Sequence, residues 1–337
     1  MGGGDAVSAA DRYARQSVLA EVGAAGQARL GAAHVLVMGA GGLGAPVLPY
    51  LAGAGVGRIT VVDGDRVALS NLHRQILFAE AEIGEPKATA AAAALARLNP
   101  EVTVRAVTDP LDPANAEALL AGADLALDCA DSFAASYALS DACLAAGVPL
   151  VSASALGLSG YAGGFCGGAP SLRALFPELP AQAARCETAG VLGPVVGILG
   201  AVQAQMALAV LLGIRPSPLG QFVTLDGAGL RFGGFRFDGA SEPADALRFI
   251  AESAIAPADF VVDLRGKEEA PMPVHPAALR LDASAFGPGG PRPAAGQRAV
   301  LCCRSGLRAW RAARALQTAW EGEIRLVALG DRQAADR

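Results

Sequence analysis

The stretch that most constrains the fold is residues 35–75, where an apolar segment runs directly into a glycine-rich turn. Residues 35–38 read VLVM and are followed at once by GAGGLG at residues 39–44. This pattern predicts a buried strand, a tight turn and a helix, with a second apolar strand at residues 59–62. Glycines at such a turn let the backbone approach a phosphate, and the amides at the helix start then face the anion. The stretch therefore predicts the nucleotide-binding half of an α/β fold.

Polar residues after the second strand narrow the kind of ligand. Asp63 follows the last glycine by about 20 residues, a spacing at which a carboxylate can bind a ribose. Asp65 comes next, and Lys87 opens another predicted helix at its positive end, where a lysine is unfavourable unless an anion offsets it. Lys87 therefore favours a phosphate-binding role. The glycine motif and Asp63 also permit an NAD(P)-dependent oxidoreductase, but nicotinamide needs an apolar slot where this chain has polar groups.

Three motifs, in their order along the chain, resemble one known family. They are GAGGLG at residues 39–44, DGDRVALSNLHRQ at residues 63–75 and GEPK at residues 84–87. In this order they are similar to the ThiF/MoeB/HesA group, relatives of the ubiquitin-activating enzymes. Members adenylate the C-terminal Gly-Gly of a small ubiquitin-like sulfur-carrier protein. The resemblance therefore implies ATP and Mg²⁺ as cofactors and such a carrier as partner.

The resemblance also implies roles for individual residues. The expected nucleotide-binding set is Gly39, Gly41, Gly42, Gly44, Asp63, Asp65, Ser70, Asn71, Leu72, His73, Arg74, Lys87, Asp131 and Ser132. Within it, Arg74 and Lys87 are expected to neutralise phosphates, and Asp131 to hold Mg²⁺ beside phosphate oxygens. Arg15 matches an arginine that reaches the phosphates of the other subunit, which implies a homodimer. A solvated N-terminal helix is the alternative for Arg15.

The segment around Asp131 departs from the family pattern. Asp131 follows a predicted strand at residues 125–129, at the edge of the sheet where ligands bind. Capping of the next helix, predicted at residues 132–146, is its alternative role. The family usually has asparagine directly after this aspartate and arginine four residues further on, whereas this chain has Ser132 and Ser136. These replacements weaken the expected Mg²⁺ site and motivate a second hypothesis, a non-catalytic scaffold that binds a carrier.

Cysteine placement bears on zinc and on sulfur relay. Relatives usually carry two CxxC pairs that bind a structural zinc. Here Ser171 and Ala174 occupy the places of the first pair, and the second pair is missing, so no zinc is expected. Cys186 lies in RCETAGVLGP, which is similar to the loop bearing the conserved cysteine of ThiF-like proteins. The adjacent Arg185 would favour its thiolate, so sulfur relay is expected, with a buried filler as the alternative.

A thiolate cradle lies in the C-terminal part of the chain. A strand predicted at residues 299–302 runs into CRSGLR at residues 303–308, so loop amides and a helix N-terminus would face Cys303. With Asp263 and Arg265 at an earlier strand end, the segment resembles a rhodanese sulfurtransferase domain, which implies Cys303 as persulfide cysteine and a persulfide or thiosulfate as donor. A phosphatase loop also surrounds a cysteine thiolate with backbone amides and an arginine, but it needs five residues between the cysteine and the arginine. Here four residues separate Cys303 from Arg308.

Size and composition limit the remaining possibilities. The chain has 337 residues and 53% hydrophobic content, which suits an adenylyltransferase domain at residues 10–238 and a rhodanese-like domain at residues 244–337. The net charge of −5 argues against nucleic-acid binding. Six cysteines without disulfide-like spacing, and an N-terminus without a signal-peptide pattern, favour a cytoplasmic protein. The apolar run at residues 195–213 carries two glutamines and lacks basic flanks, so a buried or dimer-interface helix is expected rather than a membrane span.

The alternation of predicted elements sets the fold class. Strands and helices alternate from residue 35 onward, which predicts an α/β fold with a Rossmann-like, mostly parallel sheet of the ThiF/MoeB type. The pattern restarts near residue 244, with a helix predicted at residues 244–253, and predicts a smaller α/β domain. The predicted function is adenylation of a carrier carboxylate, followed by transfer of sulfur from Cys303 to form a thiocarboxylate.

Overall fold

The computed structural model describes residues 12–179 and 190–330, which form two β-sheets with helices packed against them. The helices are α1 Ala14–Ser17, α2 Gly23–Ala32, α3 Gly44–Gly53, α4 Lys87–Leu98, α5 Ala116–Leu120, α6 Phe133–Ala146, α7 Leu172–Leu175, α8 Gly193–Leu212 and α9 Leu307–Gln317. The strands are β1 His34–Met38, β2 Arg58–Val62, β3 Thr103–Val107, β4 Leu125–Asp128, β5 Pro149–Leu156, β6 Ser159–Cys166, β7 Gln221–Asp226, β8 Arg231–Arg236, β9 Arg248–Phe249, β10 Phe260–Asp263, β11 Leu279–Arg280, β12 Ala299–Cys303 and β13 Ile324–Ala328.

The first sheet has eight strands in the order β3-β2-β1-β4-β5-β6-β7-β8. The first five strands in this order run parallel, and the last three join antiparallel. From β1 the chain proceeds to β2 on one side, and it later returns to place β4 on the other. This reversal creates a topological switch point at the carboxyl ends of β1 and β4, where ligands of open α/β sheets bind. The predicted α/β class with a mostly parallel sheet is confirmed.

The long apolar helix α8 packs against the first sheet. Its C-terminus is closed by Gly213 in the left-handed conformation, with φ at +69°. Gln203 is fully buried, and its amide nitrogen donates to the backbone carbonyls of Asp128 and Val151 at 2.8 and 3.0 Å. By length and composition α8 is the one helix among the described residues that could cross a membrane. Its packing and its buried amide identify it as a core helix, as predicted.

The second sheet has five parallel strands in the order β11-β10-β12-β13-β9, with α9 packed on one face. The predicted helix at residues 244–253 is wrong. Residues 248 and 249 instead form the edge strand β9, and Phe249 pairs with Leu326 of β13. Burial of Phe249 in the core under this sheet outweighs local helix propensity.

The two sheets share a boundary at α6. Ala134 and Tyr137 of this helix belong to the same buried apolar cluster as Phe249, Leu307 and Trp310 of the C-terminal part of the chain. The C-terminal sheet therefore docks on the helix that follows β4. This contact places its loops near the switch-point edge of the first sheet.

Candidate functional site

The glycine turn at the switch point is required by the close approach of two strand ends. Gly39 has φ at +96°, and a Cβ at this position would lie 2.8 Å from the carbonyl oxygen of Cys129, just beyond β4. A Cβ at Gly44 would collide with the carbonyl oxygen of Gly39. Both glycines are therefore demanded by the backbone path itself. They bring the start of α3 against the ends of β1 and β4.

The middle of the turn is open and borders the side-chain amide of Gln75. A Cβ at Gly41 would meet only the Gln75 side chain, at 3.7 Å. Gln75 is 3% exposed, and its side-chain Oε1 has no hydrogen-bond partner among the residues that the structure describes. An unsatisfied buried acceptor is costly, so a ligand that donates a hydrogen bond here would be stabilised. Sequence inspection quoted Gln75 within its motif but assigned it no role.

Asp63 joins the glycine turn to the end of β2. Its carboxylate accepts hydrogen bonds from the backbone amides of Ala40, at 2.7 Å, and of Asp65, at 2.8 Å. Burial raises the pKa of Asp63, while the nearby charge of Lys87 and the two amide bonds lower it. The carboxylate thus lies directly beside the turn predicted to hold the phosphates.

Lys87 completes this group of charges. Its Nζ lies 2.8 Å from Oδ2 of Asp65, and its backbone amide donates to the Asp65 carbonyl at 2.9 Å. Lys87 is only 5% exposed, although the side chain of Asp65 is 76% exposed. The structure therefore brings Asp63, Asp65 and Lys87 together at the carboxyl edge of the sheet. At this edge the ammonium group of Lys87 is nearly buried, while the carboxylate of Asp65 that pairs with it is exposed to solvent.

The turn at residues 69–75 lies beside the glycine turn. Arg74 donates from Nη1 to the Ser70 carbonyl at 3.1 Å, and the same nitrogen is 2.9 Å from Nε2 of His73. The Arg74 Cγ would be 3.6 Å from a Cβ at Gly42, so this arginine borders the predicted phosphate loop. Four further residues of the predicted set lie on this turn, half-buried at Asn71 and Leu72 and exposed at Ser70 and His73.

Asp131 is exposed on the loop between β4 and α6. The capping role considered for it belongs to Ser132, which is the N-cap of α6 and accepts a long hydrogen bond of 3.5 Å from the Ala135 amide. The Asp131 side chain makes no hydrogen bond or ion pair within the described part of the chain. Since β4 neighbours β1, topology puts this carboxylate at the same sheet edge as the glycine turn.

A buried carboxylate supports that loop from below. Asp128 accepts hydrogen bonds from the Ser152 hydroxyl at 2.8 Å, from the Ala130 amide at 3.2 Å, and from the Ser136 side chain. Burial raises the pKa of Asp128 to about 6. Ser136 interacts with this carboxylate, whose bond to the Ala130 amide anchors the Asp131 loop. In the sequence, this role was indicated only by the unexpected serines at positions 132 and 136.

Arg15 lies away from the site of its own chain. It is exposed on α1, and the adjacent Gln16 donates to the Ala54 carbonyl at 2.8 Å. Ala54 and Gly55 come just before β2, at the amino edge of the sheet, and Tyr13 packs against Gly55. The glycine turn is at the opposite, carboxyl edge. The structure thus does not bring Arg15 together with the other predicted phosphate ligands of the same chain.

A polar contact occupies the place of the missing zinc ligands. The backbone amide and the hydroxyl of the buried Ser171 both donate to the Glu242 carboxylate, at 2.6 Å each. Next to it, Arg173 forms a two-point ion pair with Asp141, with Nε 2.6 Å from Oδ1. The described residues contain no group of three or more His, Cys, Asp or Glu side chains that could hold a metal ion. Hydrogen bonds thus hold Ser171 to Glu242, in the linker between the two predicted domains (residues 239–243).

Cys303 is the last residue of β12, one residue later than the predicted strand end. Its Sγ accepts from the Gly306 amide at 3.1 Å and from the Ala309 amide at 3.4 Å, at the start of α9. The Arg308 side chain adds positive charge near this sulfur and pairs with Glu269, Nη1 to Oε2 at 2.7 Å. This is the predicted cradle of amides and positive charge. Cys186 lies outside the described residues.

Comparison with known proteins finds one matching family profile and several named relatives. The sequence profile of the ThiF family matches residues 13–245. The adenylyltransferase and sulfurtransferase MOCS3 of Bos taurus is 47% identical over 218 residues, which cover 64% of this chain and 48% of that protein. The SAMP-activating enzyme E1 of Haloferax volcanii is 43% identical over 204 residues, covering 60% of this chain and 76% of that protein. The chain spans about half the length of the MOCS3 relative.

Solved structures show the same fold. The crystal structure of E. coli MccB superposes with a TM-score of 0.59 at 19% identity, covering 71% of this chain and 74% of that one. The crystal structure of PaaA gives 0.58 at 21% identity, covering 68% and 73%. These likenesses concern the fold alone. Since the family profile spans more than half of the sequence, the chain belongs to the ThiF family.

Proposed function

We propose that this protein uses ATP to adenylate the C-terminal Gly-Gly carboxylate of a ubiquitin-like sulfur-carrier protein. One observation carries the proposal: an open glycine turn at the switch point is bordered by Asp63, Asp65, Lys87 and Arg74. Membership of the ThiF family and the names of its relatives support the same activity. We extend the proposal to a cytoplasmic homodimer in which Arg15 serves the partner's site.

The residues present fit a nucleoside triphosphate. The Gly41 backbone is open to a ligand, and the side-chain Nε2 of Gln75 is its nearest neighbour. The Asp63 carboxylate would hold the ribose hydroxyls, and Arg74 and Lys87 would hold the phosphates. Asp131, whose side chain is unengaged in the described structure, would hold Mg²⁺, which neutralises phosphate charge when bound.

The chain's own contribution to adenylation is positioning and charge neutralisation. The carrier carboxylate attacks the α-phosphate, and the bond to pyrophosphate breaks, so no protein nucleophile is required. Charge builds on the phosphate oxygens during this step, and the nearly buried Lys87 is pre-placed to meet it. The glycine turn fixes the triphosphate so that the attack is effectively unimolecular.

We propose that Cys303 then supplies sulfur. Its persulfide anion attacks the acyl carbon of the carrier adenylate, and the bond to AMP breaks, which leaves an acyl disulfide. A second thiol, for which Cys186 is our candidate, cleaves the S–S bond and releases the carrier thiocarboxylate. An external dithiol reductant then reduces the disulfide formed between the two cysteines. The amides of Gly306 and Ala309 stabilise the anionic sulfur at the start.

Carrier-dependent exchange of pyrophosphate into ATP tests the adenylation half. Arg74→Ala should lower the exchange rate by about 10²-fold, since it removes a charge from the phosphate site. Arg58→Ala is the matched control, because Arg58 is exposed at the amino end of β2, on the opposite edge of the sheet. ATP binding without any carrier-stimulated exchange in the wild type would instead favour the non-catalytic scaffold.

Transfer of sulfur from thiosulfate to cyanide tests the second half. Cys303→Ala should abolish it, whereas Cys302→Ala should retain it, because Cys302 packs into the apolar cluster on the other face of β12. Equal rates in the wild type and in Cys303→Ala would remove Cys303 from the mechanism.

A further inference from the structure

The C-terminal sheet packs against α6 through a tilted pair of aromatic rings. The rings of Tyr137 on α6 and Trp310 on α9 lie 6.1 Å apart at an angle of 34°, and both residues are almost fully buried. Arg173 stacks over Tyr137 at 4.5 Å, and Arg314 lies over Trp310 at 5.5 Å. This contact belongs to neither the nucleotide site nor the sulfur cradle, but it fixes one relative to the other.

Glu178 closes the same contact with hydrogen bonds. It follows α7 in the first domain, and its Oε2 accepts from Trp310 Nε1 at 3.2 Å and from Arg314 Nε at 3.1 Å. A second guanidinium nitrogen of Arg314 bonds the other carboxylate oxygen. Glu178 is thus the acceptor for the indole N–H of the nearly buried Trp310. Removing it would leave this donor unpaired whenever the domains are docked.

The docked arrangement covers the cysteine loop. Gly306, whose amide bonds the Cys303 sulfur, lies between Phe249 of its own sheet and Ala134 of α6, at 2.6 and 3.6 Å from an added Cβ. The contact with Ala134 is the one that α6 makes with this loop. Cys303 itself is 0% exposed. A thiol must be reached by the sulfur of its donor before it can carry a persulfide. The enclosed site can hold the Cys303 sulfur in place, but a sulfur donor cannot reach Cys303 while the site is closed.

We propose that the contact between α6 and α9 is a gate on Cys303, with Glu178 as its latch. The docked state seen here holds the cysteine loop closed against α6, next to the Asp131 loop. Loading with sulfur requires α9 to leave α6, and breaking the hydrogen bonds of Glu178 releases it. The inference rests on the proposed sulfur transfer for its biological meaning, but the closure of Cys303 can be measured without any activity.

Alkylation of the native protein by iodoacetamide measures the closure. Tryptic peptide 299–304 carries the label, and fragmentation by mass spectrometry separates Cys303 from Cys302. In the wild type, Cys303 should react far more slowly than in the urea-unfolded chain. Glu178→Ala should raise its rate about tenfold, since it removes every hydrogen bond of the latch and the reaction follows the open fraction. Arg314→Ala should raise the rate by a smaller factor, because Glu178 still accepts from Trp310 Nε1.

Two controls separate the gate from general loosening and from failure of the proposed function. Arg325→Ala removes an ion pair with Glu323 in the same sheet, away from α6, and should leave the labelling rate unchanged. Pyrophosphate exchange should be normal in Glu178→Ala, while transfer of sulfur from thiosulfate should rise with the labelling rate. Fast alkylation of wild-type Cys303, or unchanged labelling in both latch variants, would refute the gate. An inactive but well-protected Cys303 would refute only the sulfur transfer.

Discussion

Replacing Lys87 by methionine should separate the stability of the fold from the chemistry proposed for it. Lys87 is 5% exposed, and its ion pair with Asp65 spans 2.8 Å. Burying an ammonium group costs several kcal/mol, which is about as much as its ion pair returns. Buried ion pairs can therefore often be replaced by apolar residues without loss of stability. The side chain of Asp65 is 76% exposed, so it stays solvated when its partner is lost. The pair itself then contributes only ~0.2–1 kcal/mol.

These magnitudes predict opposite effects on stability and activity. Methionine keeps the methylene packing of the lysine, so the free energy of unfolding should change by no more than ~1 kcal/mol or should increase. The pyrophosphate exchange rate should fall by about 10²–10³-fold, because a cation pre-placed for developing phosphate charge is lost. Urea unfolding and carrier-dependent exchange measure the two quantities.

Arg97→Met is the matched control on the same helix. Arg97 lies in the last turn of α4, with its guanidinium 3.4 Å from Glu82 and its side chain 66% exposed. Both the unfolding free energy and the exchange rate should stay near wild type in this variant. If Lys87→Met instead lost more than ~2 kcal/mol of stability and kept its exchange rate, the lysine would be a structural residue, contrary to the phosphate-binding argument.

Three further predictions follow from buried contacts. Burial raises the pKa of Asp128 to about 6, so the folded state binds a proton there more tightly than the unfolded state does. The unfolding free energy of the wild type, measured relative to that of Asp128→Asn, should therefore fall as the pH rises from about 4 to about 6. The fall should be at most ~3 kcal/mol. Urea unfolding across this range measures it, and a difference independent of pH would contradict it. Glu242→Ala should cost ~1–3 kcal/mol in urea unfolding because it leaves the buried Ser171 amide and hydroxyl unpaired, and a metal chelator should not change the melting temperature of the wild type. Gly39→Ala should lower the melting temperature more than Gly122→Ala, since both have positive φ but only Gly39 faces a neighbouring strand end within 3 Å; equal shifts would show that backbone strain alone matters.

Local patterns account for most of what was predictable. Short apolar runs and their neighbours account for the strand before the glycine turn and the strand after its helix. They also account for the helix that begins at Lys87 and for Cys303 at the end of a strand. Such features depend on residues close together in the chain. The spacing between the glycines, Asp63 and Lys87 also predicted their convergence, because parallel strands bring their carboxyl ends to one edge.

Contacts between distant segments needed the tertiary structure. Residues 248–249 look helical in isolation, but pairing with β13 makes them a strand. No sequence pattern indicates that Ser171 bonds to Glu242, because their partnership depends on how a linker returns to α7.

The residues that meet at the glycine turn were therefore predictable from the sequence, and the way the two sheets pack together was not. A motif identifies the side chains that follow a strand, and because the loops are short these side chains lie at the carboxyl edge of the sheet. The contact of Tyr137 with Trp310 joins residues far apart in the sequence, within one buried apolar cluster. Only the packed structure shows that these faces meet, beside the loop of the buried Cys303.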